Sequence, residues 1–290
     1  MSENTSVSSP QSPAARSRGW LRTLVIGSLL FIVATVVMVL TANINLYPTV
    51  LLIGNFLIPA VFVAFLYDHQ RLSKLSPDVV MKSFCLGGIL GVLGASILES
   101  LLIPTPANPT RGLSLGGAFG VGLIEEGCKI VAVAFLARGM QHTSKMDGLL
   151  LGGAVGMGFA ALESTGYAFT ALLLSHGHFG VSITETVMRG LLAPLGHGVW
   201  TSILGAVLFS QSTPRRFRLT RWVLLTYLFV SLLHALWDGL PNTVGEILLS
   251  GLVLSLTWLA IGATGITTLT VLYRQARSQQ QKQLASTFSS

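Results

Sequence analysis

The sequence predicts an all-α membrane bundle of about eight transmembrane helices with both termini cytoplasmic, and three observations carry that prediction. Only 10% of the 290 residues are charged and 51% are hydrophobic, with a mean hydropathy of +0.69. A soluble domain carries charge on roughly a quarter of its residues. Apolar windows of the length that spans a hydrocarbon core recur at 20–42, 49–67, 79–103, 114–138, 147–175, 190–210, 221–240 and 247–273. Finally, fifteen of the eighteen basic residues fall at the ends and in alternate connections.

That distribution accounts for the net charge of +7 without a nucleic-acid partner. Arg16, Arg18 and Arg22 precede the first window, Arg71, Lys74 and Lys82 follow the second, and Arg138 and Lys145 follow the fourth. Arg215, Arg216, Arg218 and Arg221 follow the sixth, and Arg274, Arg277 and Lys282 follow the eighth. Arg111 and Arg189 alone fall on the other side, which places both termini in the cytoplasm by the positive-inside rule. The chain thus divides into an N-terminal tail over 1–19, one transmembrane domain over 20–273 with its polar motifs within 114–240, and a C-terminal tail over 274–290. Ser/Pro-rich Met1–Ala15 and Gln/Ser-rich Gln279–Ser290 are expected to be disordered. The first window exceeds the length of a signal-peptide core and is expected to remain as an anchor.

In chain order, the first two windows carry little polarity beyond Asn43, Asn45 and Asn55, and Pro48 and Pro59 make the second a poor straight helix. The third is glycine-rich and ends outward at Glu99, close enough to the interface to be solvated. Gly116 and Gly120, and likewise Gly152 and Gly156, lie four apart, a spacing that lets helix backbones approach closely in lipid. Cys85 and Cys128 lack disulfide or thiolate-metal spacing and read as small buried residues.

The fourth window holds the chemistry. Glu125, Glu126 and Lys129 lie near its centre, where each ionised side chain costs roughly 2.5–3.5 kcal/mol on insertion scales. Later windows add Glu163, His197, His234 and Asp238, with Tyr167 as a weaker member. Lys129 is four residues after Glu125, Tyr167 four after Glu163 and Asp238 four after His234, so each helix directs a polar pair along one face. At a helical rise of about 1.5 Å per residue, all these groups fall between the midplane and the outer leaflet. Four carboxylates and two histidines at one depth imply a shared site, because apart they would stay desolvated and unpaired. With the carboxylates ionised and the histidines neutral, Lys129 leaves a net charge of −3, which a divalent cation and a bound proton would offset. Histidine and carboxylate ligands suit zinc; the metal-free alternative is a glutamate base that activates water while histidines donate to an oxyanion.

EEGCK at Glu125–Lys129 reads EExxK, FAALE at Phe159–Glu163 reads FxxxE, and HALWD at His234–Asp238 reads HxxxD. In this order on successive windows, with His197 between, the set resembles the PrsW-like intramembrane proteases, distant relatives of the CAAX prenyl endopeptidases. The likeness covers roughly 114–240. It implies hydrolysis of a peptide bond in or near the membrane, in a membrane-anchored substrate such as an anti-sigma factor-like single-span protein, and a prokaryotic plasma membrane as the location. Glu163 stands where the prenyl endopeptidases have His, and Asp238 where they commonly have Asn, which favours the PrsW branch. The resemblance makes Glu125 the water activator and Glu126 its neighbour. It makes His197 and His234 metal ligands or oxyanion donors, Glu163 a third ligand or proton partner, Asp238 the orienter of His234 and Lys129 the neutralising partner of Glu125. The depths imply scission near the external leaflet. A proton- or cation-coupled transporter is the main alternative, since intramembrane Glu, His and Asp also build proton relays, but no inverted repeat or broken helix is evident in the sequence. A non-catalytic module whose polar groups only fix helix packing is the third.

Overall fold

The computed structural model describes residues 18–69, 73, 75–104, 113–240, 246–249 and 252–288. Met1–Ala15, Arg16, Arg71, Lys74 and Arg111 therefore lie outside the described residues. The helices, in order, are α1 (Gly19–Thr41), α2 (Tyr47–His69), α3 (Pro77–Lys82), α4 (Gly88–Leu102), α5 (Leu115–Leu136), α6 (Lys145–Leu174), α7 (Phe179–Leu192), α8 (His197–Gln211), α9 (Arg221–Gly239) and α10 (Leu256–Phe288). A π-helical turn at Ser83–Gly87 joins α3 to α4. Seven described segments are long and apolar enough to cross a membrane; α5, of 22 residues with three buried charges, is not one of the seven and packs among them. This is the polytopic α-bundle that the composition implies.

Serine caps set several starts. Ser76, Ser114 and Ser144 accept hydrogen bonds from the backbone N–H of Val79, Gly117 and Asp147, satisfying donors that a helix start leaves free. The ends of the bundle also sort as the basic residues require. Trp20 N donates to Asp68 Oδ2 (3.1 Å), Tyr273 Oη to the His69 carbonyl (3.0 Å) and Lys145 Nζ to Gln275 Oε1 (2.9 Å). The start of α1, the end of α2, the start of α6 and the C-terminal half of α10 thus share one end.

α6 is the axis, with 83% of its apolar window buried. Its glycines make this possible: a Cβ on Gly148, Gly152 or Gly156 would overlap the backbone of α8 at Gly205, Thr201 or His197 respectively. On the opposite side, Gly158 meets the Phe84 carbonyl and Gly88 of the π turn and α4. Among the glycine pairs expected to pack, Gly152 and Gly156 do so; Gly116 faces open space. Gly122 brings α5 against α9, where an added Cβ would lie 2.6 Å from the Ser231 carbonyl and 3.2 Å from His234 Cβ.

Four expectations need correction. The sixth crossing is not one helix over 190–210 but a broken one, Phe179–Gln211, in which α7 stops before Ala193–Leu195 and α8 restarts at His197. Pro194 lies at the break and supplies no N–H to continue α7. The eighth crossing begins at Leu256 rather than near 247, because Glu246–Leu249 and Leu252–Ser255 pair as a short antiparallel hairpin. α10 then continues to Phe288, so the segment expected as a disordered tail is helical to that residue. Cys85 is exposed on the π turn rather than buried, and Cys128 is intermediate. α1 buries Met38 and otherwise presents apolar side chains such as Val25, Leu29 and Val33 outward, as a lipid-facing helix does.

Gly152→Val places two branched carbons against the Thr201 carbonyl of α8. Overpacking of this kind costs about 1–3 kcal/mol, so a lower thermal unfolding midpoint in detergent is expected; an unchanged midpoint would mean that the α6–α8 contact is not as tight as described.

Candidate active site

Lys129 Nζ, fully buried on α5, is the centre of the polar cluster. It donates to Glu125 Oε2 (2.9 Å) and Glu126 Oε1 (2.8 Å), lies 2.8 Å from His197 Nδ1 of α8, and sits 3.9 Å above the Phe159 ring. An ammonium has three donors and no acceptor, so all three are used and His197 Nδ1 must be the acceptor. The remaining proton of a neutral His197 is then on Nε2, which lies 3.0 Å from Glu163 Oε2 of α6.

The adjacent glutamates separate as their angular offset on a helix requires. Glu126 is wholly buried and fully engaged: Oε1 takes Lys129 and, at 3.3 Å, His234 Nδ1, while Oε2 accepts from Thr201 Oγ1 at 3.1 Å. Glu125 is 5% exposed and opens onto a cleft of about 670 Å³ whose walls include Glu99, Glu163, Tyr167, Arg189 and Asp238. His234 Nε2 is 3.6 Å from Glu125 Oε2 and 3.3 Å from Asp238 Oδ2. Both imidazoles rest on Trp200, whose ring centre is 5.6 Å from that of His197 and 4.9 Å from that of His234. All seven sequence-predicted residues, from four helices, therefore meet in one cluster.

Three residues were not anticipated there. Arg189 of α7, read from the sequence as an external topological charge, reaches inward to donate from Nη2 to Glu163 Oε2 (2.9 Å) and from Nε to Ser164 Oγ (3.2 Å), and stacks 4.0 Å over the Tyr167 ring. Its signal was that it is one of two basic residues on the side that the positive-inside rule leaves nearly free of them. Thr201 shares the face of His197, four residues on, a spacing visible in the sequence. Glu99, expected to be solvated, lines the cleft and buries Oε1 without a hydrogen-bond partner.

The donor set fits a metal once Lys129 releases His197 Nδ1, whose single lone pair it holds in this structure. Glu125, His197 and His234 each place one ligand atom within 4.8 Å of the other two. Catalytic zinc commonly takes three such protein ligands, and bonds of roughly 2.0–2.2 Å put tetrahedral ligand atoms about 3.3–3.6 Å apart. The 3.6 Å from Glu125 Oε2 to His234 Nε2 and the 3.8 Å to His197 Nδ1 are near that spacing. The carboxylate of this group is Glu125; Glu163, expected as a ligand, lies 3.0 Å from Nε2 of the same His197. Glu163 lies on the Nε2 side of the His197 ring, tied to Arg189, whereas Nδ1 faces Glu125 and Lys129.

Lys129→Met would leave Glu125 and Glu126 without their cation. Removing one partner of a buried ion pair costs about 3–5 kcal/mol, so a large fall in unfolding midpoint is expected for this variant, with Lys129→Arg retaining more; a midpoint within a degree or two of wild type would refute the central role of the ammonium.

Residues 76–278 match the model of the PrsW family of intramembrane metalloproteases. Among curated proteins, the chain is similar to Protease PrsW of Halalkalibacterium halodurans, at 25% identity over 183 residues, which cover 61% of this chain and 77% of that protein. No solved structure matches the chain. The family match extends over more than two thirds of the sequence and takes in every helix that contributes to the cluster; the chain belongs to the PrsW family of intramembrane metalloproteases.

Proposed function

We propose that this integral membrane protease cleaves a membrane-anchored, single-span protein at a peptide bond near the outer leaflet, with Glu125 activating the attacking water. The observation that carries the reading is the asymmetry of the two glutamates: Glu126 has every oxygen engaged, whereas Glu125 faces the cleft with an imidazole on either side. Membership of a protease family lends the transporter alternative no support, although the sixth crossing is broken as in some transporters.

A zinc ion held by Glu125, His197 and His234 would polarise the scissile carbonyl and acidify the attacking water. The protein groups act as follows. A water in the cleft gives a proton to Glu125 Oε1, Oε2 being the oxygen that Lys129 and both imidazoles approach, as its own oxygen attacks the carbonyl carbon. His234, its Nδ1 3.3 Å from Glu126 Oε1, is turned so that Nε2 faces Glu125 and Asp238. When the C–N bond breaks, the proton passes from Glu125 to the departing amine, restoring the carboxylate. Lys129 anchors Glu125 and Glu126 on one ammonium. The cluster lies beside the outward ends of α4 and α9, at Glu99 and Asp238, which supports scission on the side away from the basic loops. An anti-sigma factor-like protein in a prokaryotic plasma membrane is the substrate class in keeping with this arrangement.

Two measurements test the reading. Purified protein in detergent, offered a panel of tagged single-span proteins, should cleave at least one; Glu125→Gln and His234→Ala should each lower the rate by about 10²–10⁴-fold, the range of a general acid–base contribution. A zinc chelator should abolish cleavage, and added zinc should restore it. Cleavage that survives both substitutions would show that this cluster is not the active site. Separately, mass spectrometry of the fragments should place the new termini in the outer half of the substrate span; termini on the cytoplasmic side would rule out the proposed depth.

A further inference from the structure

Arg189 stands apart from the three sequence motifs, yet it is the residue through which α7 reaches the cluster. α7 itself is well anchored. Tyr47 Oη of α2 lies 2.7 Å from Ser182 Oγ, Ser182 Oγ donates to the Ala168 carbonyl (2.6 Å), and Thr186 packs against Gly54. From that base the Arg189 guanidinium is held on three sides, by Glu163, by Ser164 and by the face of Tyr167. Its side chain is 25% exposed, and it lines both the 670 Å³ cleft and a neighbouring one of about 430 Å³ that reaches His197.

Glu163 Oε2 is the shared acceptor: Arg189 Nη2 lies 2.9 Å away and His197 Nε2 3.0 Å away. The position of this oxygen decides how the His197 ring is turned. With Oε2 facing Nε2, the ring presents Nδ1 to Lys129 and Glu125. A glutamate side chain on its own has several rotamers open to it, and in an apolar setting a lone carboxylate would seek another donor. Arg189, donating to Glu163 through Nη2 and to neighbouring Ser164 through Nε, restricts that choice.

We infer that Arg189 is a positioning residue: by fixing Glu163 Oε2 beside His197 Nε2, it orients the imidazole that completes the metal-binding group with Glu125 and His234. This rests on the protease reading above and assigns to α7 a part in the site that the motifs do not contain. Outer partners that orient a ligating histidine typically change metal affinity or activity by 10–100-fold when removed.

The test compares wild type with Arg189→Met, Arg189→Gln, Arg189→Lys, Glu163→Gln and the Arg189→Met/Glu163→Gln pair, using cobalt(II) as the probe metal in detergent. Cobalt absorption reads the site without substrate, and kcat and KM are read on a cleaved reporter. Arg189→Met and Arg189→Gln should weaken cobalt binding and lower kcat by about 10–100-fold with KM within about twofold, and Arg189→Lys should recover part of both. The pair should be no worse than Glu163→Gln alone, since both act through one contact. A loss confined to KM would make Arg189 a substrate contact instead. Additive losses, or wild-type values in Arg189→Gln, would also overturn the inference, and that variant serves where Arg189→Met does not fold. If wild type cleaves nothing, the protease reading fails while the cobalt comparison still decides the role of Arg189; if wild type takes up no cobalt, the kcat comparison decides it. A wild type that does neither removes both.

Discussion

The structure depends on one ammonium group. Lys129 Nζ, with no exposure, joins two carboxylates of its own helix to the imidazole that begins α8. In hydrocarbon an unpaired charge is costly, and the single ammonium between them is what lets Glu125 and Glu126 lie side by side. A Lys in the middle of a span can reach three groups at once, since its Nζ, 3.9 Å above the Phe159 ring, carries three diverging donors. The consequence is functional as well as structural. With Glu126 committed to Lys129, His234 and Thr201, Glu125 is the carboxylate left facing the cleft.

Close backbone approach makes such a junction possible. In lipid, helices gain little from burying apolar side chains against each other, and packing of small residues with interhelical hydrogen bonds takes over. The glycine row of α6 lets the first turn of α8 lie against it, with the His197 carbonyl at Gly156. Gly122 does the same for α5 and α9 beside His234. The polar residues thus converge because the helices that carry them are glycine-faced at the level where they meet. The break at Pro194 adds to this by starting α8 at His197, at the depth of the cluster rather than at the membrane surface.

Much of this was legible in the sequence. Span lengths foretold the polytopic bundle, and i,i+4 spacing correctly paired Glu125 with Lys129 and His234 with Asp238. The EExxK, FxxxE and HxxxD segments named the family before any geometry was known. What stayed hidden was of a different kind. Hydropathy does not distinguish one long helix from two short ones in line, so α7 and its break went unread, and with them the inward turn of Arg189. The hairpin before α10 was hidden for the same reason, being as apolar as the helix expected in its place.

Sequence by itself determined what must be buried and which residues share a helical face, because both follow from composition and from the 3.6-residue period. Only the tertiary structure decided which partner each buried group takes. Glu163 meets Arg189 across 26 residues, Lys129 meets His197 across 68 and Glu126 meets His234 across 108. Those pairings depend on the rotation and crossing of neighbouring helices, which are set by where glycines permit contact. No local spacing encodes that, and it is why Glu125 lies near both histidines while Glu163 meets the opposite side of the His197 ring.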